Sequence, residues 1–210
     1  MNSPSDAANA YAYPLLIKQL WHAPLRFAAA QEIVHGERRT SYAEMHARVG
    51  RLAGALTALG VRFGDTVAVM DWDSDRYLEC FYAVPMMGAV LMTVNVRLSS
   101  EQIIYTLNHA GAGVLLVHDD FLPLLEEIRP RLQSLRHVVR MGEGALTPAA
   151  MSGLAGDYES MLAQAPAVPD RLRRPVDRDR HEEAARVRVG DGEEVLGGVP
   201  PRVVHAVGLA

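Results

Sequence analysis

Short apolar strands alternate with helical segments along the first 140 or so residues, and this order constrains the fold more than any other feature. Sheet strands are predicted over residues 66–71, 89–94, 114–117 and 137–140, with a helix before each of the last three. The last-but-one strand is apolar without interruption, which is typical of a strand covered on both faces. The order predicts an α/β fold with a mainly parallel sheet and helices on both faces.

Capping and turn signals place the elements at the start of this order. A strand, a turn and a return strand are predicted over residues 31–40. Ser41 with Glu44, and Ser99 with Gln102, form capping boxes, in which the two side chains satisfy each other's free backbone amides. Behind the caps, apolar residues recur at helical spacing and predict buried stripes: Met45, Val49, Leu52, Leu56 and Leu59 in one helix, and Ile103, Leu107 and Ala110 in the other.

Three further helices are predicted from weaker patterns. In the helix that follows the first sheet strand, Leu78, Phe81 and Tyr82 are predicted to lie on the buried side. Residues 121–132 are predicted to form the helix before the last strand, and residues 154–165 a short helix after it.

The residue types in use change abruptly near residue 162. Ser, Thr, Asn, Lys, Ile, Met, Phe, Tyr, Trp and Cys fill 48 of the first 161 positions and none of the last 49. All remaining types can be encoded by codons that begin with G or C, which suggests a reading-frame shift at about residue 162. The alternative is an ordinary disordered tail rich in Arg, Pro and Gly. We therefore predict an α/β subdomain in residues 1–165 and a poorly ordered Arg/Pro/Gly/Val-rich tail in residues 166–210.

Charge and composition exclude several classes of protein. The net charge of −4 gives no indication of nucleic-acid binding. The single cysteine, Cys80, excludes an internal disulfide and fits a reducing compartment. Residues 1–12 carry no positive charge and no long apolar run, so neither a signal peptide nor a transmembrane segment is expected. The predicted location is the cytoplasm.

Candidate metal and catalytic residues each have a structural interpretation that we favour. The eight histidines lack zinc-type spacing. His118, Asp119 and Asp120 follow a strand and could bind a cation, but a solvated strand end is the commoner explanation. Cys80 on an apolar helix is more often a core residue than a nucleophile. Other features are predicted to be structural or solvated: His109 at a helix end, Gly50 and Gly54 in helix packing, Met86, Met87 and Met92 in the core, and the pairs Glu182-Glu183 and Glu193-Glu194.

Three sequence blocks, in this order and at this spacing, resemble the N-terminal part of the adenylate-forming acyl-CoA synthetases, the AMP-binding ligases. The first runs from Thr-Ser-Tyr-Ala-Glu at residues 40–44 to Gly-Asp-Thr-Val-Ala-Val at residues 64–69. The second is Phe-Tyr-Ala-Val-Pro-Met-Met-Gly-Ala-Val at residues 81–90, continuing to Asn-Val-Arg-Leu-Ser at residues 95–99. The third covers residues 101–117. The Asn-Val-Arg-Leu sequence most resembles members that act on medium-chain or long-chain fatty acids.

The resemblance implies a two-step reaction in the complete family member. A carboxylate attacks the α-phosphate of ATP, and the thiol of coenzyme A then displaces AMP, which requires Mg²⁺, a Ser/Thr/Gly-rich phosphate loop and a lysine. Here no Ser or Thr follows Ser160 and no Lys follows Lys18, and reading the tail in a shifted frame recovers no Gly-Thr-Thr-Gly loop. We assign no catalytic, cofactor-binding or metal-binding residue.

Three hypotheses about the chain follow from this resemblance. The first is a truncated fatty-acid–CoA ligase that is inactive alone and binds no cofactor by itself. The second is a non-catalytic module that associates with a full-length synthetase. The third is one half of a split ligase, completed by a chain encoded downstream.

Overall fold

A small hairpin precedes the main sheet. The computed structural model describes residues 16–143 and 153–166. A 3₁₀ turn (Ile17–Trp21) and helix α1 (His22–Phe27) lead into an antiparallel pair of strands, β1 (Glu32–His35) and β2 (Arg38–Ser41). Gly36 has a φ of 57° in the turn between them, a left-handed conformation that favours glycine. The predicted hairpin is confirmed.

The main sheet has five parallel strands in the order β4-β3-β5-β6-β7. The strands are β3 (Thr66–Met70), β4 (Val90–Thr93), β5 (Ala112–Val117), β6 (His137–Arg140) and β7 (Gly156–Asp157). The mainly parallel sheet that the sequence predicts is confirmed. Strand β7 was not predicted, because two residues are too few to show a strand period.

Helices cover both faces of this sheet, as predicted. They are α2 (Tyr42–Ala58), α3 (Asp75–Met86), α4 (Ser100–Ala110), α5 (Leu122–Ile128) and α6 (Tyr158–Gln164). One core joins α2, α3 and α6 to Val67, Val69, Val114 and Leu116. The other joins α4 and α5 to Ala68, Met70, Leu115 and Val117. Successive side chains of a strand point to opposite faces, so β3 and β5 contribute to both cores.

The predicted caps are confirmed in both long helices. The Ser41 hydroxyl accepts from the Glu44 amide at 3.2 Å, and Glu44 accepts from the Ser41 amide at 2.9 Å. Ser99 and Gln102 form the same reciprocal pair before α4. Gly111 ends α4 in a left-handed conformation, with a φ of 64°. Such local signals depend on a few neighbouring residues, which is why the sequence predicts them well.

The prediction that Leu78 and Phe81 lie on the buried side of helix α3 is wrong. Their exposed fractions are 36% and 44%, whereas Tyr77, Cys80 and Val84 are buried. The buried residues recur at spacings of three and four and face α2 and the sheet. Leu78 and Phe81 lie about 100° further round the helix. Tyr82, predicted with them, is half-buried against the ring of Trp21.

Two predicted helices are shorter than expected. The segment predicted as one helix over residues 121–132 consists of 3₁₀ turns (Asp119–Phe121 and Arg129–Arg131) on either side of α5. The segment predicted over residues 154–165 contains β7 and α6. The tail predicted to be poorly ordered, residues 166–210, lies outside the described residues from residue 167 onward. Within the described residues, no helix is long and apolar enough to span a membrane.

Candidate functional site

The carboxyl ends of β3 and β5 mark the topological switch point of the sheet. From β3 the chain passes to the edge strand β4 and then returns to β5 on the other side of β3. Ligands of open α/β sheets commonly bind in the crevice outside such a point. Asp71 and Trp72 follow β3, and His118, Asp119 and Asp120 follow β5. These residues are therefore the first to test as a binding site.

The acids after β5 are engaged in structural contacts. Arg140, whose side chain is 4% exposed, donates from Nε and Nη2 to the two oxygens of Asp119, both at 2.6 Å. Trp72 Nε1 donates to Asp120 Oδ2 at 2.8 Å, and His118 Nδ1 accepts from the Asp120 amide at 3.2 Å. Across residues 16–143 and 153–166, no group of three or more His, Cys, Asp or Glu side chains could hold a metal ion. Asp119 and Asp120 are thus held by Arg140 and Trp72 at this edge of the sheet.

Asp71 supports the beginning of α3. Burial raises the pKa of its carboxyl, and a hydrogen bond from Ser74 partly opposes that shift. The Ser74 hydroxyl donates to Asp71 Oδ2 at 2.5 Å and accepts from the Tyr77 amide at 3.1 Å. Asp71 Oδ1 is buried without a hydrogen-bond partner among the described residues. The arrangement fixes the cap of α3, and the carboxyl is not exposed to a substrate.

A second and larger polar cluster joins α3 to three other elements. We call it the Arg–Glu network; it comprises Arg38, Arg48, Arg76, Glu79, Tyr158 and Glu159. It joins β2, α2, α3 and α6. Two of its members, Glu79 and Tyr158, are almost completely buried. Charges placed so far from water must be paired, so the pairing within the network decides what it does.

Glu159 receives three guanidinium groups. Arg48 donates to its two oxygens at 2.8 and 2.9 Å, Arg76 Nε donates at 2.8 Å, and Arg38 Nη1 donates at 3.2 Å. Burial opposes ionisation of the carboxyl, but the hydrogen bonds from Arg48 and Arg76 outweigh it and lower the pKa of Glu159 to about 2. Glu159 is therefore an anion at neutral pH and anchors α6 to the hairpin, α2 and α3.

Glu79 forms the inner end of the network. Arg48 Nε donates to its Oε1 at 2.6 Å, and the Tyr158 hydroxyl donates to its Oε2 at 2.7 Å. Burial raises the pKa of Glu79, with the Arg48 hydrogen bond acting in the opposite direction. Burial likewise raises the pKa of Tyr158 well above its ordinary value. Guanidinium groups do not exchange protons near neutral pH, so we assign the network a structural role.

An open cleft of about 250 Å³ lies between β1 and α3. Its walls are mostly apolar, and polar groups line the N-terminal end of α3: Ile33, Val34, Tyr77, Leu78 and Phe81 are apolar or aromatic, and His35, Asp73, Ser74 and Asp75 are polar. Asp75 is buried and contacts His35 Nδ1 at 3.3 Å and Arg38 Nε at 3.1 Å. These contacts connect the hairpin to the start of α3.

Residues 20–183 of the chain match the family described as AMP-binding enzyme. The chain belongs to the AMP-binding enzyme family. It is 51% identical over 107 residues to a long-chain-fatty-acid–CoA ligase of Thermus thermophilus, covering 51% of this chain and 20% of that ligase. It is 36% identical over 156 residues to a medium-chain-fatty-acid–CoA ligase of Ectopseudomonas oleovorans, covering 71% of this chain and 28% of that ligase.

Solved structures give the same family resemblance. The anthranilate CoA ligase AuaEII, in complex with anthranoyl-AMP, matches with a TM-score of 0.63 and 28% identity, over 71% of this chain and 28% of that chain. The chain thus spans about a fifth to just over a quarter of the length of these curated and structural relatives. The family match reaches residue 183, beyond the boundary predicted at residue 165.

In this AMP-binding family member, the residues considered from the sequence occupy separate places. Cys80 is fully buried, and burial raises the pKa of its thiol well above the ordinary value, so it is not a reactive thiolate. His109 lies in the last turn of α4 and stacks on Tyr105 at 5.6 Å. Residues 182–183 and 193–194 lie outside the described residues. Other positions are in or against the cores: Gly54, Met86, Met87 and Met92.

Sequence reasoning missed the Arg–Glu network. Its partners are far apart in the chain: Arg48 lies 31 residues from Glu79 and 111 from Glu159. A charged residue on a helix ordinarily indicates the solvated face. The available signal was helical spacing: Arg48 lies four residues before the buried Leu52, and Glu79 lies four residues before the buried Ala83.

Proposed function

We propose that this α/β domain is the first subdomain of an ATP-dependent fatty-acid–CoA ligase, and that the 210 residues do not carry out the ligation by themselves. The observation that carries the proposal is the unequal coverage of the medium-chain ligase: 71% of this chain corresponds to only 28% of that protein. Two relatives of this chain act, by name, on medium-chain and long-chain fatty acids. Family membership supports the reaction class.

The complete reaction would use ATP, Mg²⁺ and coenzyme A. The acid would form an acyl-adenylate, from which the coenzyme A thiol displaces AMP. Charge develops on phosphate oxygens during the first step, and a phosphate-binding loop and a cation must stabilise it. In this sequence Lys18 is the only lysine, and no Ser or Thr follows Ser160. We therefore assign the 210-residue chain a scaffold role and derive no catalytic step through its residues.

Pyrophosphate release tests this proposal directly. The purified 210-residue chain is incubated with ATP, Mg²⁺ and either octanoate or palmitate, and the Ectopseudomonas oleovorans ligase serves as the positive control. We expect release by the control enzyme and none above the blank by this chain. Turnover that co-purifies with the chain and scales with its concentration would contradict the proposal.

A non-catalytic interaction role is the second candidate, and the cleft between β1 and α3 favours it. Leu78 and Phe81 are apolar and partly exposed there, and exposed apolar patches mark sites of protein association. The partner would be a full-length synthetase or the product of the next reading frame. Pyrophosphate release only after mixing with that downstream product would identify a split ligase. We also propose a cytoplasmic location, which rests on the single Cys80 and its fit to a reducing compartment.

For the tail we propose an out-of-frame reading from about residue 162, with an ordinary disordered tail as the alternative. The proposal rests on the ten residue types that are absent after Met161. Because the family match reaches residue 183, resequencing has to cover the whole stretch of codons 150–185. An intact frame throughout that stretch would eliminate the shift.

A further inference from the structure

We propose that the outward face of α3 and the adjoining strand β1 form a docking surface for the remaining part of an adenylate-forming ligase. The docking surface consists of Val34, Leu78 and Phe81, with the partly buried Ile33 beside them. The proposal rests on the function proposed above, and it names the surface and the partner that an association would use.

Helix α3 is apolar on two sides. Tyr77, Cys80 and Val84 face the core, and Leu78 and Phe81 lie on the outward side with exposed fractions of 36% and 44%. A helix with apolar residues nearly all round is characteristic of a position buried on both sides. Within the described residues only the inward side of α3 is covered by other helices. Among residues 16–143 and 153–166, the outward side is therefore left available to a partner.

Strand β1 extends this apolar side. Val34 is 55% exposed and lines the same cleft as Leu78 and Phe81. The two walls are connected, because Asp75 at the start of α3 contacts His35 at the end of β1 and Arg38 at the start of β2. A partner would therefore meet a preorganised surface, which lowers the entropic cost of binding.

The greater length of the relatives supports one occupant for this surface. The match takes in 28% of the medium-chain ligase and 20% of the long-chain ligase. In those proteins, the greater part of the chain lies outside the matched stretch and belongs to the same molecule. The part of a ligase that lies outside the matched stretch is therefore the partner that we assign to the outward side of α3.

The binding test uses the full 210-residue chain and the Ectopseudomonas oleovorans ligase from which the matched stretch has been deleted. Biolayer interferometry compares the unchanged chain, the double variant Leu78→Glu/Phe81→Glu and the control Tyr105→Glu. Tyr105 is 67% exposed on α4, which packs on the other face of the sheet. We expect binding by the unchanged chain and the control, and a loss of at least about tenfold in the double variant.

A chimera provides a second measurement that does not depend on the two pieces meeting in solution. In it, this chain replaces the matched stretch of the ligase. The double substitution should lower the unfolding midpoint of the chimera but leave that of the isolated chain unchanged. Tyr105→Glu should change neither midpoint.

The proposal would be overturned if the unchanged chain did not bind and the double substitution left the unfolding midpoint of the chimera unchanged. Equal losses of binding in the double variant and in Tyr105→Glu would also overturn it. So would a homodimer of this chain that the double variant abolishes. The last outcome would assign the surface to a second copy. Failure here is distinct from failure of the proposed function, because pyrophosphate release by the isolated chain is measured without any partner.

Discussion

The two sides of helix α3 invert the usual distribution of polar and apolar residues. The inward side carries Arg76 and Glu79, which are 6% and 2% exposed, whereas the outward side carries Leu78 and Phe81. Buried charges are tolerated when each one is paired and hydrogen-bonded, and the Arg–Glu network provides those partners. In α3, specific ion pairs thus hold part of the buried side, while Leu78 and Phe81 leave apolar surface exposed on the other.

The difference has an energetic consequence. An ion pair with several converging donors depends on its geometry, so removing one member leaves the others buried without a partner. Replacing an exposed apolar side chain changes the free energy of unfolding little, because water already contacts that side chain in the folded state. Substitutions on the two sides of α3 should therefore differ strongly in their effect on stability, although the positions are neighbours in sequence.

The largest effect is expected from Glu79→Ala. This change leaves the Arg48 guanidinium with Glu159 alone and removes the acceptor of the Tyr158 hydroxyl. We expect the free energy of unfolding to fall by about 3 kcal/mol, measured by urea denaturation followed by circular dichroism. Glu79→Gln, which retains an acceptor, should cost less.

A matched control is available at the surface. Glu101 also accepts from an arginine, Arg131, but both side chains are exposed. Glu101→Ala should leave the urea midpoint unchanged, since exposed ion pairs contribute little. If Glu79→Ala were as stable as this control, burial would give the Arg–Glu network no greater effect on stability than an exposed ion pair has.

Local signals and long-range contacts differ in how far the sequence predicts them. Strand β6 begins and ends at the predicted residues, and the caps at Ser41 and Ser99 have the predicted partners, because each depends on a few adjacent residues. The rotation of α3 could not be predicted in the same way. Both of its sides are apolar enough to be buried, and the choice depends on Arg48 and Glu159, which are distant in the chain.

The candidate site was predicted less well than the fold. The sequence identified His118, Asp119 and Asp120 as a strand end, and the structure places them at the switch point, with Asp119 paired to Arg140. The cleft could not be inferred, because it depends on how the hairpin is set against α3 through Asp75. That arrangement brings together residues from two elements without any local motif.

Acid titration tests the contribution of Glu159, the more exposed carboxylate of the Arg–Glu network. The folded-state pKa of Glu159 is about 2 and the ordinary value is 4.5, so the unfolded state binds the proton more tightly. The resulting stability is fully present above about pH 4.5 and is lost as the pH falls toward 2. Because the side chain is 38% exposed, solvent screening reduces the contribution to about 1–2 kcal/mol.

The variant Glu159→Gln should therefore be less stable than the unchanged chain at pH 6 and equally stable near pH 2. Urea midpoints at a series of pH values measure the difference between the two proteins, in which the titration of Glu79 largely cancels. A difference that does not change between pH 6 and pH 2 would show that the carboxylate of Glu159 contributes no charge-dependent stability.

The outward side of α3 should respond much less. Phe81→Glu is expected to change the free energy of unfolding of the isolated chain by less than about 1 kcal/mol, because the side chain is 44% exposed. The same change should reduce nonspecific aggregation at high protein concentration, measured by light scattering, since it places a charge on an apolar patch. A loss as large as that of Glu79→Ala would mean that Phe81 belongs to the core.

The smallest effect is expected from deleting residues 167–210. This segment contains no Ile, Met, Phe, Tyr or Trp, and such a composition offers little apolar surface with which to build a core. Leu162, by contrast, is 2% exposed and packs with Tyr158 in the same core as α2 and α3. A chain of residues 1–166 should therefore unfold at the same urea midpoint as the 210-residue chain, whereas Leu162→Ala should lower that midpoint in both, by about 2–4 kcal/mol in free energy. A lower midpoint for the shortened chain would show that residues 167–210 pack against the domain and would remove the boundary that composition alone predicts.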